Sequence, residues 1–466
     1  MDIATQELTT EKYEPVPLAP PLPLPKERLA EGKARRSKVS RRSHESWQAP
    51  PDRPDPVALL EESNKTRIPD LVPIRYGRMM ISPFTFYRGS PIVMARDLAH
   101  TPVSGIRVQA CGDCHLMNFG VYASPERNLL FDVNDFDETL PAPWEWDLKR
   151  LATSFAVAGR SHGFRARECL EAAEECARSY REQMRSYSRM RLLDVWYSRA
   201  DAVTVHKVLR RSAGKGLDRS MNRPMAHRTL QGLSKLVTVN NRRLQIVDHP
   251  PLVNHVSKEG LSDLLRRLFR GYYSSLQDDR RTLLERYRFV DFARKVVGVG
   301  SVGTRCFILL LDAGHSKDPL LLQIKEAEAS ILEPYAGRSH MSNHGHRVVA
   351  GQRLVQSASD IFLGWTSEGK HHYYIRQLRD MKASADLETM SALDLGEYAR
   401  LCGWVLARAH ARSGDAAHIS GYLGKSDVFD RAIAAFANDY ADQTERDYDT
   451  FQAAVKSGRL PVEMGE

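Results

Sequence analysis

The chain has 466 residues, of which 42% are hydrophobic and 27% are charged, the composition of an ordinary water-soluble folded protein. Its length allows two or three domains or one large two-lobed enzyme, and its net charge of +9 favours acidic partners without choosing among nucleotides, nucleic acid and anionic surfaces. Scattered cysteines, no leader-like start and no apolar run of about 18 residues predict a cytoplasmic protein without a membrane span.

Residues 1–66 are predicted to form a disordered tail. The stretch PVPLAPPLPLPKE is rich in proline, and KARRSKVSRRSHESW is a basic cluster. Nucleic-acid binding by this cluster is the alternative to a solvated tail, which the composition favours. Prolines punctuate residues 67–105, so short helices and extended pieces are expected there. Arg88, at the end of FTFYRG, either packs its stem against aromatic side chains or holds a phosphate or carboxylate.

Two acidic loops follow between residues 107 and 138. The first, GDCHLMNFG, places Asp113, His115 and Asn118 close together in the sequence. The second, LLFDVNDFDE, is a strand pattern that ends in acidic residues, among them Asp135 and Asp137. Both could be simple turns, because Asp, Asn and Gly are turn formers.

The same residue types also suit phosphoryl transfer. Carboxylate and amide oxygens are ligands that Mg²⁺ prefers, and Mg²⁺ usually acts together with substrate phosphates. In that chemistry one Asp receives the proton of the acceptor, an Asn holds a metal ion, and a second Asp joins metal to phosphate. Asp113, Asn118 and Asp135 could take these roles in that order. The pair Cys111 and Cys114 in the first loop lacks a second ligand pair, so a zinc or redox role is disfavoured.

The next stretches are predicted to be mainly helical. PAPWEWDLKRLATSFAVAGR has apolar residues at helical spacing, with Asp147 in the first turn as a cap. Residues 165–190 form an amphipathic helix, and the helical pattern continues to about residue 290. The helix LDLGEYARLCGWVLARAHARSG is expected further on, with His410 near its C-terminal end, where an imidazole suits the helix dipole.

A β-rich texture begins at residue 291. GVGSVG places Gly298, Gly300 and Gly303 between two strand patterns, which is the layout of a kinase glycine-rich loop as well as that of a plain glycine hairpin. The strand DPLLLQIKEAEAS then delivers Lys325, which either contacts nucleotide phosphates, with a glutamate such as Glu328 close by, or is simply solvated. IFLGWTSEGKHHYYIRQL is expected to form a hairpin that turns at Glu368-Gly369.

These segments carry a family resemblance. GDCHLMNFG and NDFDE resemble the catalytic and metal motifs of the aminoglycoside-phosphotransferase-like branch of the protein-kinase fold. Residues 67 to about 455 also resemble an uncharacterised bacterial family, the domain-of-unknown-function family numbered 2252, through SPFTFYRG, GDCHLMNFG, NDFDE, WEWDLKRLA and AHARSGD.

The kinase resemblance implies roles for individual residues. Asp113 matches the catalytic Asp, Asn118 and Asp135 the metal ligands, Lys325 the strand lysine, and the three glycines the phosphate loop. In kinases, however, the glycine loop and lysine precede the catalytic loop, whereas here they follow it by more than 150 residues. The parts fit a circularly permuted arrangement. Such a permutation costs little stability when the chain is cut and rejoined in surface loops.

The sequence therefore predicts an α+β, two-lobed, kinase-like fold, circularly permuted behind a disordered tail. Residues 67–290 would form the catalytic lobe, 291–385 the ATP lobe, and 386–466 helices that return to the catalytic lobe. The predicted activity is ATP- and Mg²⁺-dependent phosphoryl transfer to an unidentified acceptor. Asp113, His115, Asn118 and Asp135 would be catalytic, and Asp137 an additional metal ligand.

Two alternatives remain open from the sequence. One is a catalytically silent nucleotide-binding or scaffold module on the same fold. The other is a metal-dependent hydrolase in which Asp113, His115, Asp132 and Asp135 gather a metal ion while GVGSVG is an ordinary hairpin.

Overall fold

The computed structural model describes residues 23–201, 205, 236–240, 243–255, 261–314, 319–378 and 383–464. They form a mixed α+β molecule, as the sequence predicts, with a large helical part and an antiparallel sheet. Among the described residues, no helix is both long and apolar enough to cross a membrane.

The helical part opens with five short helices and four short strands. In chain order these are α1 (Pro25–Ala34), α2 (Pro56–Asn64), α3 (Val72–Met79), α4 (Pro83–Gly89), α5 (Pro91–Leu98), β1 (Arg107–Ala110), β2 (Phe119–Ala123), β3 (Leu129–Val133) and β4 (Leu140–Pro143). β1 pairs with β4 and β2 pairs with β3, both antiparallel. The loops after β1 and β3 are the two acidic loops of the sequence.

The core of the helical part is built from helices in the middle and at the end of the chain. The helices in the middle of the chain are α6 (Trp144–Ser161), α7 (Ala166–Tyr187) and α8 (Leu192–Tyr197), and those at its end are the last three elements given below. The remaining elements, in chain order, are β5 (Val237–Asn240), β6 (Arg243–Ile246), β7 (Val253–His255), α9 (Leu261–Ser275), α10 (Asp278–Leu284), β8 (Arg288–Lys295), β9 (Cys306–Asp312), β10 (Pro319–Ala327), α11 (Glu333–Ala336), α12 (His344–Val355), β11 (Gly364–Glu368), β12 (His371–Gln377), β13 (Ala383–Ser384), α13 (Ala392–Ser413), α14 (Ala416–Leu423) and α15 (Val428–Lys456). α7 packs against α6, α13, α14 and α15, which buries its apolar stripe at Ala173, Ala177, Tyr180 and Met184, whereas Leu170 is exposed.

The predicted disordered tail is wrong for residues 23–66, and residues 1–22 lie outside the described part. Helix α1 crosses α14 at close backbone contact, because a Cβ at Gly32 would stand 2.0 Å from the carbonyl oxygen of His418. Arg36 donates hydrogen bonds to the carbonyls of Tyr422 and Gly421 at 2.7 and 2.5 Å, and Arg41 donates to that of Leu423 at 2.7 Å. The basic cluster therefore satisfies and neutralises the C-terminal end of α14.

The main sheet has six antiparallel strands in the order β11-β12-β10-β9-β8-β7. Its back face buries Leu322 and Ile324 of β10 against α9 and α10. Side chains alternate along a strand, so Leu321, Gln323 and Lys325 point to the opposite, front face. The front face meets the helical part through Lys325 and Tyr374, which lie opposite each other on β10 and β12.

The β-rich part begins earlier than residue 291. β7 and β8 belong to the main sheet, and α9 packs on its back face, so residues from about 253 onward join the sheet rather than a helical lobe. The prediction of a helical stretch up to residue 290 is wrong for β5, β6 and β7, and residues 206–235 lie outside the described part. The hairpin formed by β5 and β6 packs Leu236 and Ile246 on the front face beside Leu310 and Leu321.

Candidate active site

A cleft of about 220 Å³ lies between the glycine-rich turn after β8, the two acidic loops and the segment from α2 to α5. The predicted site residues that line it are Asp113, His115, Asn118, Asp135, Asp137, Gly298, Gly300 and Glu328. Lys325 does not line the cleft itself but forms an ion pair with Asp137, which does. Gly303 faces Arg67 instead of the cleft. Residues from distant parts of the chain thus meet in one place.

One face of α6 holds the first acidic loop in position. Asp147, Arg150 and Ser154 stand at positions i, i+3 and i+7, so their side chains project from the same side of the helix. Asp147 accepts hydrogen bonds from the backbone N–H groups of Cys111 (2.6 Å) and Gly112 (3.0 Å), and Ser154 accepts one from Leu116 (3.0 Å). The loop backbone is therefore fixed at three points by a single helix.

Asp147 is itself oriented from a second helix. His410 of α13 lies 3.1 Å from Asp147 through its Nε2 atom, and the hydroxyl of Tyr180 lies 2.8 Å from the His410 Nδ1 atom. All three side chains are buried. The prediction that Asp147 caps its own helix is wrong, because its carboxylate binds the first acidic loop and the helix start has no side-chain cap. His410 contacts Asp147 in addition to lying near the end of α13. A polar residue every third or fourth position in an otherwise apolar helix was the available signal.

Arg150 fixes the carboxylate of Asp113. The Nε and terminal nitrogen atoms of Arg150 lie 2.7 and 2.6 Å from Oδ1, which leaves Oδ2 without that partner. Burial raises the pKa of Asp113, although Arg150 opposes this shift. A carboxylate whose pKa is raised toward neutrality is better suited to accept a proton than a fully solvated one.

His115 lies beside the open oxygen of Asp113 and is uncharged. Its Nδ1 atom accepts a hydrogen bond from the Met117 N–H at 3.2 Å, so the proton of the neutral ring is on Nε2, 3.9 Å from Asp113 Oδ2. Burial and the nearby Arg88 and Arg150 hold the pKa of His115 well below its ordinary value. At 3.9 Å the two side chains are neighbours without a hydrogen bond, and the neutral ring is a poor proton donor at neutral pH.

Asn118 and Asp135 offer oxygen atoms to a metal ion. The Asn118 side-chain N–H donates to the backbone carbonyl of Asp113 at 2.7 Å, which leaves its amide oxygen as the ligand atom. In the described part of the chain, the Asp135 carboxylate accepts one hydrogen bond, from the Asp137 N–H at 3.3 Å. The Asn118 carbonyl also accepts the Asn134 N–H at 2.9 Å, which joins the two acidic loops. This oxygen donor set fits Mg²⁺.

Asp137 is placed differently from its predicted metal role, because Lys325 occupies it. The Lys325 ammonium group forms an ion pair with Asp137 Oδ2, and the Tyr374 hydroxyl donates to Oδ1 at 2.9 Å. Burial opposes ionisation of Asp137, yet the ammonium and the hydroxyl hold its pKa below the ordinary value. Burial likewise lowers the pKa of Lys325, but Asp135 and Asp137 raise it well above its ordinary value. Both groups are charged, and the pair bridges 188 residues of sequence.

The two glutamates that closely follow Lys325 in the sequence, Glu326 and Glu328, have other neighbours. Glu326 pairs with Arg305 at 3.1 Å and with His371 at 2.7 Å. Glu328 lines the cleft, and its backbone carbonyl accepts a hydrogen bond from Arg347 of α12 at 2.7 Å. Asp137 from the second acidic loop thus takes the position that the sequence assigned to a glutamate.

The glycine-rich turn is anchored to the segment between α2 and α4. The carbonyl of Gly303 accepts the Ile68 N–H at 2.8 Å, and that of Val302 accepts a hydrogen bond from Arg67 at 2.5 Å. Arg78 donates to the carbonyl of Gly298. Ser301 lies at the tip of the turn, where its hydroxyl donates to Asp137 Oδ2 at 3.3 Å. The turn therefore covers the ion pair between Lys325 and Asp137.

The cysteine pair in the first loop is buried and reduced. The thiols of Cys111 and Cys114 and the Asp147 carboxylate lie within 4.8 Å of one another. Asp147 already accepts two backbone hydrogen bonds and contacts His410. The pKa of Cys111 is raised, mainly by the hydrogen bond between the two thiols and secondly by burial. Thiolate chemistry is therefore disfavoured there.

Comparison with known proteins identifies the family of this chain. The sequence model of the uncharacterized proteins conserved in bacteria, DUF2252, matches residues 67–454. The chain belongs to that family. No curated protein and no solved structure matched the chain. The DUF2252 match begins after α2, so it includes both acidic loops, the glycine-rich turn and Lys325, while α1 and α2 lie before it.

Proposed function

We propose that this DUF2252 protein is an ATP- and Mg²⁺-dependent phosphotransferase with a circularly permuted, kinase-like arrangement of two lobes. The observation that carries the proposal is the ion pair between Lys325 and Asp137 under the glycine-rich turn. A solvated strand lysine would not be expected to form a buried ion pair with a cleft-lining acid 188 residues away. A lysine that positions phosphates beside metal ligands would be expected to lie there.

The order of elements supports the permutation. From β8 the chain runs through strand, glycine turn, strand, lysine strand, helix α12 and two further strands, and then crosses to the helical part at β13. Helix α13 ends beside β1, because the Gln109 N–H donates to the Ser413 hydroxyl at 3.2 Å. A chain that continued from α13 into β1 would reach the Asp113 loop directly, which is the order of ordinary kinases.

Each residue would then have a defined task. Asn118 and Asp135 would hold Mg²⁺, which when bound neutralises phosphate charge. Lys325 and the backbone N–H groups of the glycine-rich turn would position the phosphates. Asp113, fixed by Arg150, would receive the proton of an acceptor hydroxyl. Catalysis of this kind relies mainly on positioning and charge neutralisation.

The metal-dependent hydrolase alternative is disfavoured, because Asp132, one of its expected metal ligands, is engaged elsewhere. Asp132 is completely buried, pairs with Arg408 at 2.5 Å and accepts hydrogen bonds from the Ser357 N–H and hydroxyl, both at 2.9 Å. Its carboxylate is therefore used to join β3 to α13 instead of turning toward Asp113 and Asp135. Measuring ATP turnover distinguishes the catalytically silent module from an enzyme.

The proposal is tested by nucleotide binding and turnover in the full chain. We expect ATP to bind with Mg²⁺, Lys325→Met to weaken that binding at least about tenfold, and Asp113→Asn to keep binding while it slows ADP formation about 100-fold or more. Calorimetry measures ATP binding by the wild-type protein and by Lys325→Met, and a coupled ADP assay measures turnover by Asp113→Asn. Lys65→Ala, which removes an exposed lysine, is the matched control for Lys325→Met. ATP binding without measurable ADP formation by the wild-type protein would favour the silent module. ATP-independent activity that survives Lys325→Met would favour the hydrolase.

A further inference from the structure

Helix α4 brings a second cation to the cleft. SPFTFYRG folds as this helix, with Ser82 as its N-cap, and Arg88 falls in its last turn. The end of α4 touches the glycine-rich turn, because a Cβ at Gly300 would stand 3.2 Å from the carbonyl oxygen of Arg88. The Arg88 side chain lines the same cleft as Asp113 and Asp135.

Arg88 differs from the other arginines of the cleft in having no acceptor. Within the described residues its guanidinium makes no hydrogen bond or ion pair, its Nε atom is buried without a partner, and its nearest aromatic ring is that of Phe84 at 6.0 Å. Arg67 donates to the carbonyls of Val302 and Ser63, and Arg75 donates to Gly89 and to the Ser63 hydroxyl. These two are part of the scaffold, whereas the guanidinium of Arg88 is free to bind a ligand.

The Nε atoms of Arg75 and Arg88 are both buried without an acceptor among the described residues, but in Arg75 the terminal nitrogen atoms have acceptors. In Arg88 the whole guanidinium lacks them within the same part of the chain, and because an unpaired buried donor costs free energy, this points to an oxyanion in the cleft that satisfies it. Arg88, Asp113 and Asp135 line the same cleft. Burial lowers the pKa of Arg88, and the charges of Asp113 and Asp135 oppose that shift. In phosphoryl transfer, negative charge is spread over the non-bridging oxygens of the moving group, and the planar fork of arginine matches those oxygens. The position between the glycine-rich turn and Asp113 is where that group would pass.

We propose that Arg88 is a catalytic residue that binds the phosphoryl group during its transfer. This rests on the proposed function. As the bond between the γ-phosphorus and the bridging oxygen breaks, its electron pair stays on ADP. The bond between the acceptor oxygen and phosphorus forms, and the acceptor proton passes to Asp113. The Arg88 guanidinium donates to the non-bridging oxygens throughout.

The test compares three full-length variants. Arg88→Met keeps the apolar stem over Phe84, Arg88→Lys keeps a charge without the fork, and Lys65→Ala is the matched control at the exposed end of α2. Thermal unfolding shows that each variant is folded. The probes are ADP with Mg²⁺, the same mixture with aluminium fluoride as a mimic of the moving phosphoryl group, and ATP turnover.

We expect Arg88→Met to leave ADP affinity within about twofold, to weaken the aluminium fluoride complex about 100-fold or more, and to slow ADP formation by a similar factor. Arg88→Lys should recover only part of the loss, because an ammonium cannot form the paired contact. Millimolar guanidinium chloride should speed turnover by Arg88→Met and leave Lys65→Ala unchanged, an effect that a merely structural arginine would not produce.

Two results would overturn the assignment while the proposed function stands. One is turnover by Arg88→Met at the wild-type rate. The other is slower turnover with an unchanged affinity for the aluminium fluoride complex, which would place Arg88 on the acceptor. Wild-type protein that binds neither ADP nor ATP would instead remove the proposed function itself, and the assignment with it.

Discussion

Glu138 lines the cleft and has a carboxyl group that titrates near neutral pH. Its Oε2 atom accepts the Ile331 N–H at 2.8 Å, and Arg347 lies close enough to lower its pKa. Burial is the larger effect and raises the pKa of Glu138 to about 7. The group therefore changes charge within the physiological range, next to Asp113 and Asp137.

This shift predicts a pH-dependent stability. Between about pH 4.5 and 7 the folded protein holds a proton on Glu138 that the unfolded chain has lost, so the free energy of unfolding falls as pH rises through that window. The loss is up to about 3 kcal/mol for this group. Glu138→Gln should flatten the dependence, and exposed Glu45→Gln should not. Urea unfolding at pH 5 and pH 8 measures the difference, and equal slopes in wild type and Glu138→Gln would contradict the prediction.

At the scale of elements, periodicity predicted what is local and missed what depends on distant partners. The helices around residues 165–190 and 392–413 and the hairpin at Glu368-Gly369 are confirmed, since each buries an apolar pattern carried by its own residues. The polar contacts of Asp147 and the folding of residues 23–66 were missed. Their partners lie far away in sequence, as with Arg36 and Tyr422, so local composition does not report them.

The candidate site shows the same division. The residue types in both acidic loops and the glycine turn predicted which side chains line the cleft, since these are set by local loop chemistry. The partner of Lys325 was not predicted, because Asp137 and Glu328 are chemically alike and only the packing of β10 against the second loop chooses between them. Gly303 was expected to face phosphates. Its positive φ of 91° and the hydrogen bond from Ile68 fix it against the α2–α3 segment instead.

The anchoring of the glycine-rich turn predicts unequal effects of two substitutions. Arg67→Met leaves the carbonyl of buried Val302 without its donor, so we expect a loss of about 1–3 kcal/mol in unfolding free energy. It should also speed hydrogen exchange at the Ile68 amide, which donates to Gly303. Arg78→Met removes a bond at the protein surface and should change both quantities less. Urea unfolding and exchange measured by mass spectrometry test this, and an equal effect of both variants would show that burial does not set the strength of the anchor.

At the scale of the whole molecule, the beginning and the end of the described chain fold together. Arg53 lies before α2 and donates to Asp97 of α5 at 2.8–3.1 Å and to Asp447 of α15 at 2.6 and 2.8 Å. Tyr440 adds a hydrogen bond to Asp97 at 2.7 Å. Burial lowers the pKa of Arg53, but its bonds to Asp447 and Asp97 raise it above the ordinary value. One guanidinium thus joins three segments, and it lies outside the residues that match DUF2252.

Arg53→Ala should therefore destabilise the entire chain. The side chains of Asp97 and Asp447 are only 3% and 5% exposed, and without Arg53 two buried carboxylates would face each other uncompensated. Breaking a buried ion pair from one side costs about 3–5 kcal/mol. Asp447→Asn should recover part of the loss in the double variant, because it removes one of the two uncompensated buried charges. Urea unfolding at pH 7 measures these effects beside Arg42→Ala, an exposed arginine of the same segment. If both arginine variants unfolded alike, α2 and the segment before it would be an attachment to the fold rather than part of it.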